Sequence, residues 1–130
     1  MDYEKEIYEL KKENETLKEK LGFLEFRLEL LAENSNVSNL LFECKTTYSQ
    51  YVAIMDLMDE MRDKLDHNEG INHNDFENKI GIITGNYDYH FAELIARSFM
   101  EDDRWIEVFP ALYGHMPKYK LFLEKRNKGE

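Results

Sequence analysis

The chain has 130 residues, of which 42% are hydrophobic and 13% aromatic, enough for a packed core and too apolar for a disordered chain. Its net charge of −10 argues against nonspecific binding to nucleic acids, whose phosphates attract lysine and arginine. With only two prolines and six glycines, long helices are favoured over a many-turned β fold. We therefore predict an all-α protein, with an N-terminal parallel coiled-coil helix followed by a small multi-helical bundle.

The first predicted element is a helix over residues 1–33 with the heptad repeat of a coiled coil. Its seam residues recur in alternating steps of four and three, the spacing that keeps one side of a helix facing a partner. The a positions are Ile7, Asn14, Leu21 and Leu28, and the d positions are Tyr3, Leu10, Leu17, Leu24 and Leu31. We predict that this seam is the oligomerisation surface.

Charged residues beside the seam predict that the chains run parallel. In a parallel pair, each g residue faces the e residue five positions later on the partner. The three such pairs are all opposite in sign: Glu6 with Lys11, Glu13 with Lys18, and Lys20 with Glu25. Exposed ion pairs contribute little to stability, so these pairs select the orientation of the helices more than they strengthen the assembly.

Asn14 is the polar residue of the seam and bears on the number of chains. Two asparagines bond to each other across a dimer seam, whereas an asparagine facing leucine leaves polar atoms unpaired. A homodimer is therefore favoured. Leucine at both a and d positions discriminates poorly between oligomers, so a trimer remains open, and Asn14 can alternatively be read as a weak point near a frayed end.

After Gly22 the helix carries a second set of apolar residues. Phe23, Phe26 and Leu30 stand at c and f positions, which a coiled coil alone would expose. We predict that this half of the helix also packs on the globular body. Gly22 is then either a bend at the junction or a tolerated weak position.

Residues 34–117 form the predicted helical domain, and residues 34–36 end the first helix. A short helix begins at Leu40. Thr47 and Gln50 have the spacing of a capping box and start a longer helix, whose apolar residues recur in steps of three and four and form one stripe: Tyr51, Ile54, Met55, Met58, Met61 and Leu65. The methionines of this stripe are predicted to fill the core. The alternative is an adaptable, methionine-rich binding groove.

Three more core helices and a tail follow. The first contains Phe76, Ile80 and Ile83 and stops at Gly85. The second is capped by Asp88 and contains Phe91, Leu94, Ile95 and Phe99. The third follows a turn and cap at residues 101–103, is kinked at Pro110 and ends at Gly114; its apolar residues are Trp105, Ile106, Phe109 and Leu112. Pro117 can open a last short helix.

The predicted C-terminal tail, residues 118–130, has five basic and two acidic residues, whereas residues 34–117 have six and fifteen. We interpret the tail as a final helix that covers the body, with its cations complementing the helix dipole. The alternative is an arm that docks on an acidic protein face, on nucleic acid or on an anionic membrane.

Several stretches between residues 21 and 115 carry a family resemblance. They are Leu24-Glu25 with Leu30-Leu31, residues 54–65, Gly70-Ile71 leading into Asp75, Asp88 with His90, and residues 106–109. In spacing and size they resemble the YhaI-like family, small helical bacillar proteins of unknown function. The resemblance implies a helical fold whose N-terminal helix joins an intertwined oligomer, with a trimer as one form, and implies no activity. The longer zipper and the basic tail of this chain depart from the family pattern.

Candidate metal sites are weak. Residues 66–77 have oxygen donors at five of the positions used by an EF-hand calcium loop, from Asp66 to Glu77, but the glycine and the apolar residue are displaced. The second candidate combines an aspartate with the histidines, in spacings that match no zinc motif: His67, His73, His90, His115 and Asp88. We expect no metal and no cofactor.

No catalytic motif is present, so we expect no enzyme activity. Cys44, the single cysteine, is expected to be a buried, inert thiol. A lone cysteine, the absence of an apolar signal-peptide core and the lack of a run of about 20 apolar residues favour a cytoplasmic protein without a membrane span.

These observations favour a homo-oligomeric cytoplasmic interaction protein that regulates or inhibits another protein, with a phage or mobile element as one origin. The expected partners are a second copy of the chain and a protein of unknown identity, with nucleic acid not expected. The alternative is an acidic DNA mimic or nucleic-acid-associated accessory protein. A small metal-dependent or thiol enzyme is the third reading.

Overall fold

The computed structural model describes residues 2–128, and its regular secondary structure within that range is entirely helical. The prediction of an all-α fold is therefore confirmed. In chain order the helices are α1 Tyr3–Glu33, α2 Asn36–Glu43, α3 Tyr48–Asp66, α4 His73–Thr84, α5 Tyr89–Glu101, α6 Val108–Tyr113 and α7 Pro117–Asn127. None of them, within this described range, has both the length and the apolar character needed to cross a bilayer.

Helix α1 has 31 residues, which corresponds to a length of about 46 Å. Its N-cap is Asp2, whose carboxylate accepts a hydrogen bond from the backbone N–H of Lys5 at 3.1 Å. Its C-cap is Asn34, which adopts a left-handed conformation with φ of 51°. The predicted break after residue 33 is confirmed, because asparagine tolerates this conformation better than most residues do.

The core lies among α2 to α6, with α5 at its centre. Helix α5 packs against α2, α4 and α6, while α3 packs against α4 and α6. The largest fully buried side chains are Tyr113, Phe76, Phe99 and Phe109. Met58 and Met61 of α3 are 0% and 1% exposed, so these methionines fill the core, as predicted.

The second half of α1 packs on this core, as the apolar residues off the seam predicted. Phe26 and Leu30 are 5% and 3% exposed. The rings of Tyr48 and Tyr51 lie 5.5 and 5.7 Å from the ring of Phe26. Helix α1 thus contributes one of its faces to the core of its own chain.

Two predicted helix starts and one stop are confirmed in atomic detail. The backbone N–H of Gln50 donates to Thr47 Oγ1 at 3.2 Å, and the backbone N–H of Thr47 donates to Gln50 Oε1 at 2.9 Å, which completes the capping box. Asp88 caps α5 by accepting from the backbone N–H of His90 at 3.0 Å. Gly85, with φ of 77°, ends α4.

The start of α2 was predicted too late. The helix begins at Asn36 rather than near Leu40, because Ser35 and Ser38 form a capping box of their own. A second cap comes from Asp102 at the C-terminus of α5. Its carboxylate accepts from the backbone N–H groups of Asn36 and Val37 at 3.0 and 2.8 Å.

The prediction of a core helix containing Trp105 and Ile106 was wrong. These residues lie in a turn, and α6 begins only at Val108. Trp105 has a φ of 46°, which no right-handed helix allows, and Ile106 is 53% exposed. The indole N–H of Trp105 donates to Asp59 on α3 at 2.9 Å, so a tertiary contact holds the turn.

Two other details of this region differ from the prediction. Glu101 is the last residue of α5, and Asp102 caps α2 rather than the helix that follows it in sequence. Pro110 does not kink a helix, because it is the third residue of α6. Its missing N–H falls in the first turn, where the backbone N–H groups have no partner within the helix. Gly114 ends the helix as predicted.

Replacing Asp102 with alanine should destabilise the chain, because the backbone N–H groups of Asn36 and Val37 then lose their acceptor. By analogy with helix caps, we expect a loss of about 1–2 kcal/mol in the free energy of unfolding. Urea unfolding followed by circular dichroism measures it. Asp103→Asn is the matched control, since Asp103 is highly exposed and asparagine tolerates its φ of 60°. Equal losses in the two variants would contradict the role given to Asp102.

Replacing Gly22 with alanine should stabilise the chain by about 0.5–1 kcal/mol, because Gly22 lies inside α1 and alanine favours helix more strongly. A Cβ at this position would meet no atom within 4 Å. Gly114→Ala gives the opposite expectation, since its Cβ would collide with the carbonyl oxygen of Pro110. The melting temperatures of both variants, measured by thermal unfolding, test these two expectations. A Gly22→Ala chain less stable than the unmodified protein would contradict the first of them.

Candidate oligomerisation surface

The heptad seam predicted from the sequence forms an exposed row of large apolar side chains along α1. Their exposed fractions run from 49% at Leu31 to 65% at Leu28. The row contains Tyr3, Ile7, Leu10, Leu17, Leu21, Leu24, Leu28 and Leu31. Asn14 is also exposed within it. A contiguous apolar surface of this kind is typical of an interaction site, because soluble proteins rarely leave one uncovered.

The seam lies on the side of α1 that faces away from the body. Each residue of an α-helix is rotated by about 100° from the previous one, so Leu24 and Leu28 each stand roughly 160–200° around the axis from Phe26. Phe26 is buried against the body, whereas Leu24 and Leu28 are 55% and 65% exposed. A second helix can therefore approach the seam without meeting the body of the same chain.

The first two-thirds of α1 are not covered by any other part of residues 2–128. Every residue from Tyr3 to Gly22 is exposed, and Phe23 is the first partly buried one. This segment extends about 30 Å at the helical rise. Isolated helices are only marginally stable in water, since most helical stability in proteins comes from packing of an apolar face. A partner helix on the seam would supply that packing.

The charged residues of the three predicted g–e pairs are exposed and form no ion pair with any residue from 2 to 128. All ion pairs among residues 2–128 join side chains of α3, α4, α5, α7 or the turn before α6. No described residue of the same chain thus pairs with the charged g residues Glu6, Glu13 and Lys20 or with the e residues opposite them.

The candidate calcium segment is not a continuous loop. Helix α4 begins at His73, so the second half of residues 66–77 is helical. Asp75 pairs with Lys79 at 3.3 Å, and Glu77 accepts from the hydroxyl of Tyr113 at 3.3 Å. Within residues 2–128, no three histidine, cysteine, aspartate or glutamate side chains are arranged to hold a metal ion.

The structure brings together two of the four histidines. The rings of His73 and His115 stack with 5.7 Å between centroids, and His73 Nδ1 lies 3.2 Å from Glu77. His67 stands apart, with Nδ1 2.7 Å from the carbonyl oxygen of Asp63, an interaction that raises its pKa. His90 stacks on Tyr89 instead.

Cys44 is exposed, so the expectation of a buried thiol was wrong. It caps the C-terminus of α2, beyond the apolar face of that helix. Partial desolvation and the neighbouring carboxylate of Glu43 raise the pKa of its thiol. A raised pKa disfavours the nucleophilic thiolate.

Sequence reasoning missed a buried carboxylate that anchors α7. Glu93 on α5 is 4% exposed and accepts from Tyr119 at 2.5 Å and from Lys118 at 3.2 Å. The Glu93 carboxylate raises the pKa of Lys118, while burial and then the hydrogen bond to Glu93 raise the pKa of Tyr119. Arg126 adds a hydrogen bond to the carbonyl oxygen of Met100 at 2.8 Å. Helix α7 covers the body, as expected of a final helix. The one signal of the Glu93 anchor in the sequence was an acidic residue on the apolar side of α5.

Comparison of the chain with protein-family models, with curated proteins and with solved structures gives no match. The resemblance to the YhaI-like family therefore stays a prediction from the residues that carry it.

Proposed function

We propose that the chain is a homo-oligomeric interaction protein that pairs through a parallel coiled coil of α1 and binds another protein as a regulator or inhibitor. The observation that carries the proposal is the exposed heptad row on a helix that projects beyond its own body. The proposed role is binding rather than catalysis.

The energetics of the seam support self-association. Covering a side chain the size of leucine contributes about 1.5–3 kcal/mol. Each chain has eight exposed apolar side chains on the seam. In a pair, this contribution exceeds the cost of roughly 4–15 kcal/mol for lost translational and rotational freedom, even when each side chain is only partly covered.

Three features of α1 support two parallel chains. The three g–e pairs are complementary in the parallel orientation, and Asn14 would bond to the identical asparagine of the partner. Because the seam faces away from the body, the two bodies lie on opposite sides of the pair. A trimer is the second assembly compatible with leucine at both a and d.

Pairing supports a binding role because it presents every surface of the body twice. Two linked sites bind a target with repeated features more tightly than one site does, without any new contact. Residues 34–117 have a net charge of −9, so the paired bodies would present a strongly acidic surface. Such a surface favours a partner with a basic face and speeds their encounter.

The paired substitution Leu21→Asp and Leu24→Asp should yield chains with the monomer mass of 15.6 kDa in light scattering, because charges on the seam cannot be buried against a partner. The body should stay folded, since Phe26 and Leu30 on the other face are unchanged. Unmodified protein should show twice the monomer mass.

The matched control is Tyr8→Asp with Thr16→Asp, which adds the same charge at b and c positions outside the seam. This variant should keep the mass of the unmodified protein. An unchanged mass in the seam variant, or a monomeric unmodified chain, would contradict pairing through α1.

Affinity capture with tagged chain should recover a protein partner in stoichiometric amount, and less of it with the Leu21→Asp, Leu24→Asp variant. Recovery of the chain alone would count against the regulatory role and leave only self-association. A basic DNA-handling protein released by moderate salt would favour the acidic DNA mimic instead.

A further inference from the structure

A hollow, here termed the flank hollow, lies beside α1 where this helix meets the start of α3. It encloses about 400 Å³ and is lined by Gly22, Glu25, Phe26, Glu29 and Tyr48. Gly22 leaves the space open, since a Cβ at this position would meet no atom within 4 Å. The ring of Tyr48 packs edge-on against Phe26 and is itself 60% exposed. The flank hollow is therefore open to a long side chain that approaches along α1.

The flank hollow is negatively charged. Glu25 and Glu29 stand one helical turn apart on its α1 side, and both are exposed. Neither carboxylate forms an ion pair with any residue from 2 to 128. Tyr48 adds an aromatic ring, whose negative face attracts cations as well. The hollow therefore fits the side chain of a lysine or an arginine.

The heptad register brings one lysine to this hollow from a second copy. Glu25 stands at an e position, and in a parallel pair it faces Lys20, the g residue of the other helix. Helical side chains lean toward the N-terminus of their helix, so the carboxylate of Glu25 lies near the level of Gly22, close to that of Lys20. Lys20 is exposed and forms no ion pair within residues 2–128.

Lys20 of the same chain cannot occupy the hollow. The five steps from Lys20 to Glu25 rotate by about 500°, which leaves the two side chains roughly 140° apart on opposite flanks of α1. Glu25 itself lies between Leu24 of the exposed seam and Phe26 of the buried face. Each hollow thus borders the seam of its own chain, so a second helix on the seam reaches it while the two bodies lie on opposite sides of the pair.

We propose that Lys20 of one chain binds in the flank hollow of a second copy, where its ammonium group pairs with Glu25 and lies against the ring of Tyr48. Glu29 adds a second negative charge beside it. The contact rests on the proposed pairing through α1 and adds a residue of the body to that interface. Because Tyr48 begins α3, each body is then fixed to both helices of the pair, which sets its rotation about them.

Photo-cross-linking from position 48 tests the contact. Tyr48 is replaced with p-benzoylphenylalanine in a tagged full-length chain, which is co-expressed with the untagged, unmodified chain and irradiated. The tagged chain should become linked to the untagged one, and mass spectrometry should place the attachment within residues 16–24. The same replacement of Tyr87 is the matched control, because Tyr87 is 65% exposed but lies between α4 and α5. The Tyr48 position should give roughly tenfold more product, since the contact raises the effective concentration of the partner.

A double-mutant cycle measures the coupling of Lys20 to Tyr48. Lys20→Gln and Tyr48→Leu should each raise the dissociation constant of the pair several-fold in analytical ultracentrifugation. The double variant should fall short of the product of the two effects by roughly threefold, because the second change removes a contact already lost. Lys11→Gln is the matched control, since it removes the same charge from a predicted g–e pair far from the hollow. Its effect and that of Tyr48→Leu should multiply.

Light scattering on the same samples distinguishes failure of this contact from failure of the pairing. An oligomer whose position-48 product stays at the control level, or in which the Lys20 and Tyr48 effects multiply, would overturn the contact and leave pairing through α1 intact. Unmodified protein with the mass of one chain would overturn the pairing, and this contact with it.

Discussion

The organisation of the molecule depends on one helix with two apolar faces. One face of α1, with Phe26 and Leu30, is buried by the body of its own chain. The opposite face, the heptad seam, is exposed over the whole length of the helix. Because both faces belong to one continuous helix, a partner bound to the seam would be held at a fixed position relative to α2 and α3. In the proposed assembly, folding of the body and pairing of the chains are thereby coupled through α1.

Acidic and basic residues are distributed unevenly along the chain. Residues 34–117 contain fifteen acidic and six basic residues, whereas residues 118–130 contain two acidic and five basic ones. Helix α7 attaches through Glu93, a carboxylate buried in an otherwise apolar face and satisfied by Lys118 and Tyr119. A buried carboxylate is tolerated only with such partners, so the cations of α7 are part of the fold as well as of the surface.

Sequence alone predicted the features that depend on neighbouring residues. The helical class, the break at Asn34, the capping box at Thr47 and the stop at Gly85 are all encoded within a few positions of where they act. The packing of the second half of α1 on the body was predictable too, because a partner helix on the seam would leave the second apolar row exposed. For the candidate site, the sequence predicted every residue of the exposed row.

What the sequence did not predict depends on residues that meet only in the folded chain. The early start of α2 relies partly on Asp102, some 65 positions away. The turn at Trp105 adopts a left-handed backbone that no local pattern suggests. The partners of Glu93 lie about 25 positions further on. The apolar spacing around Trp105 and Ile106 matches that of a helix, so the sequence predicted one there. Tertiary contacts in the folded chain hold these residues in a turn instead.

The turn at Trp105 has a consequence for optical measurements. Trp105 is the only tryptophan of the chain, and it lies beside the guanidinium groups of Arg62 and Arg104 with its indole N–H bonded to Asp59. Its fluorescence therefore reports on the junction between α3 and the segment after α5, where charged groups sit against the ring. Helix α1 contains no tryptophan. Emission from this one residue follows the integrity of the body separately from events on the projecting helix.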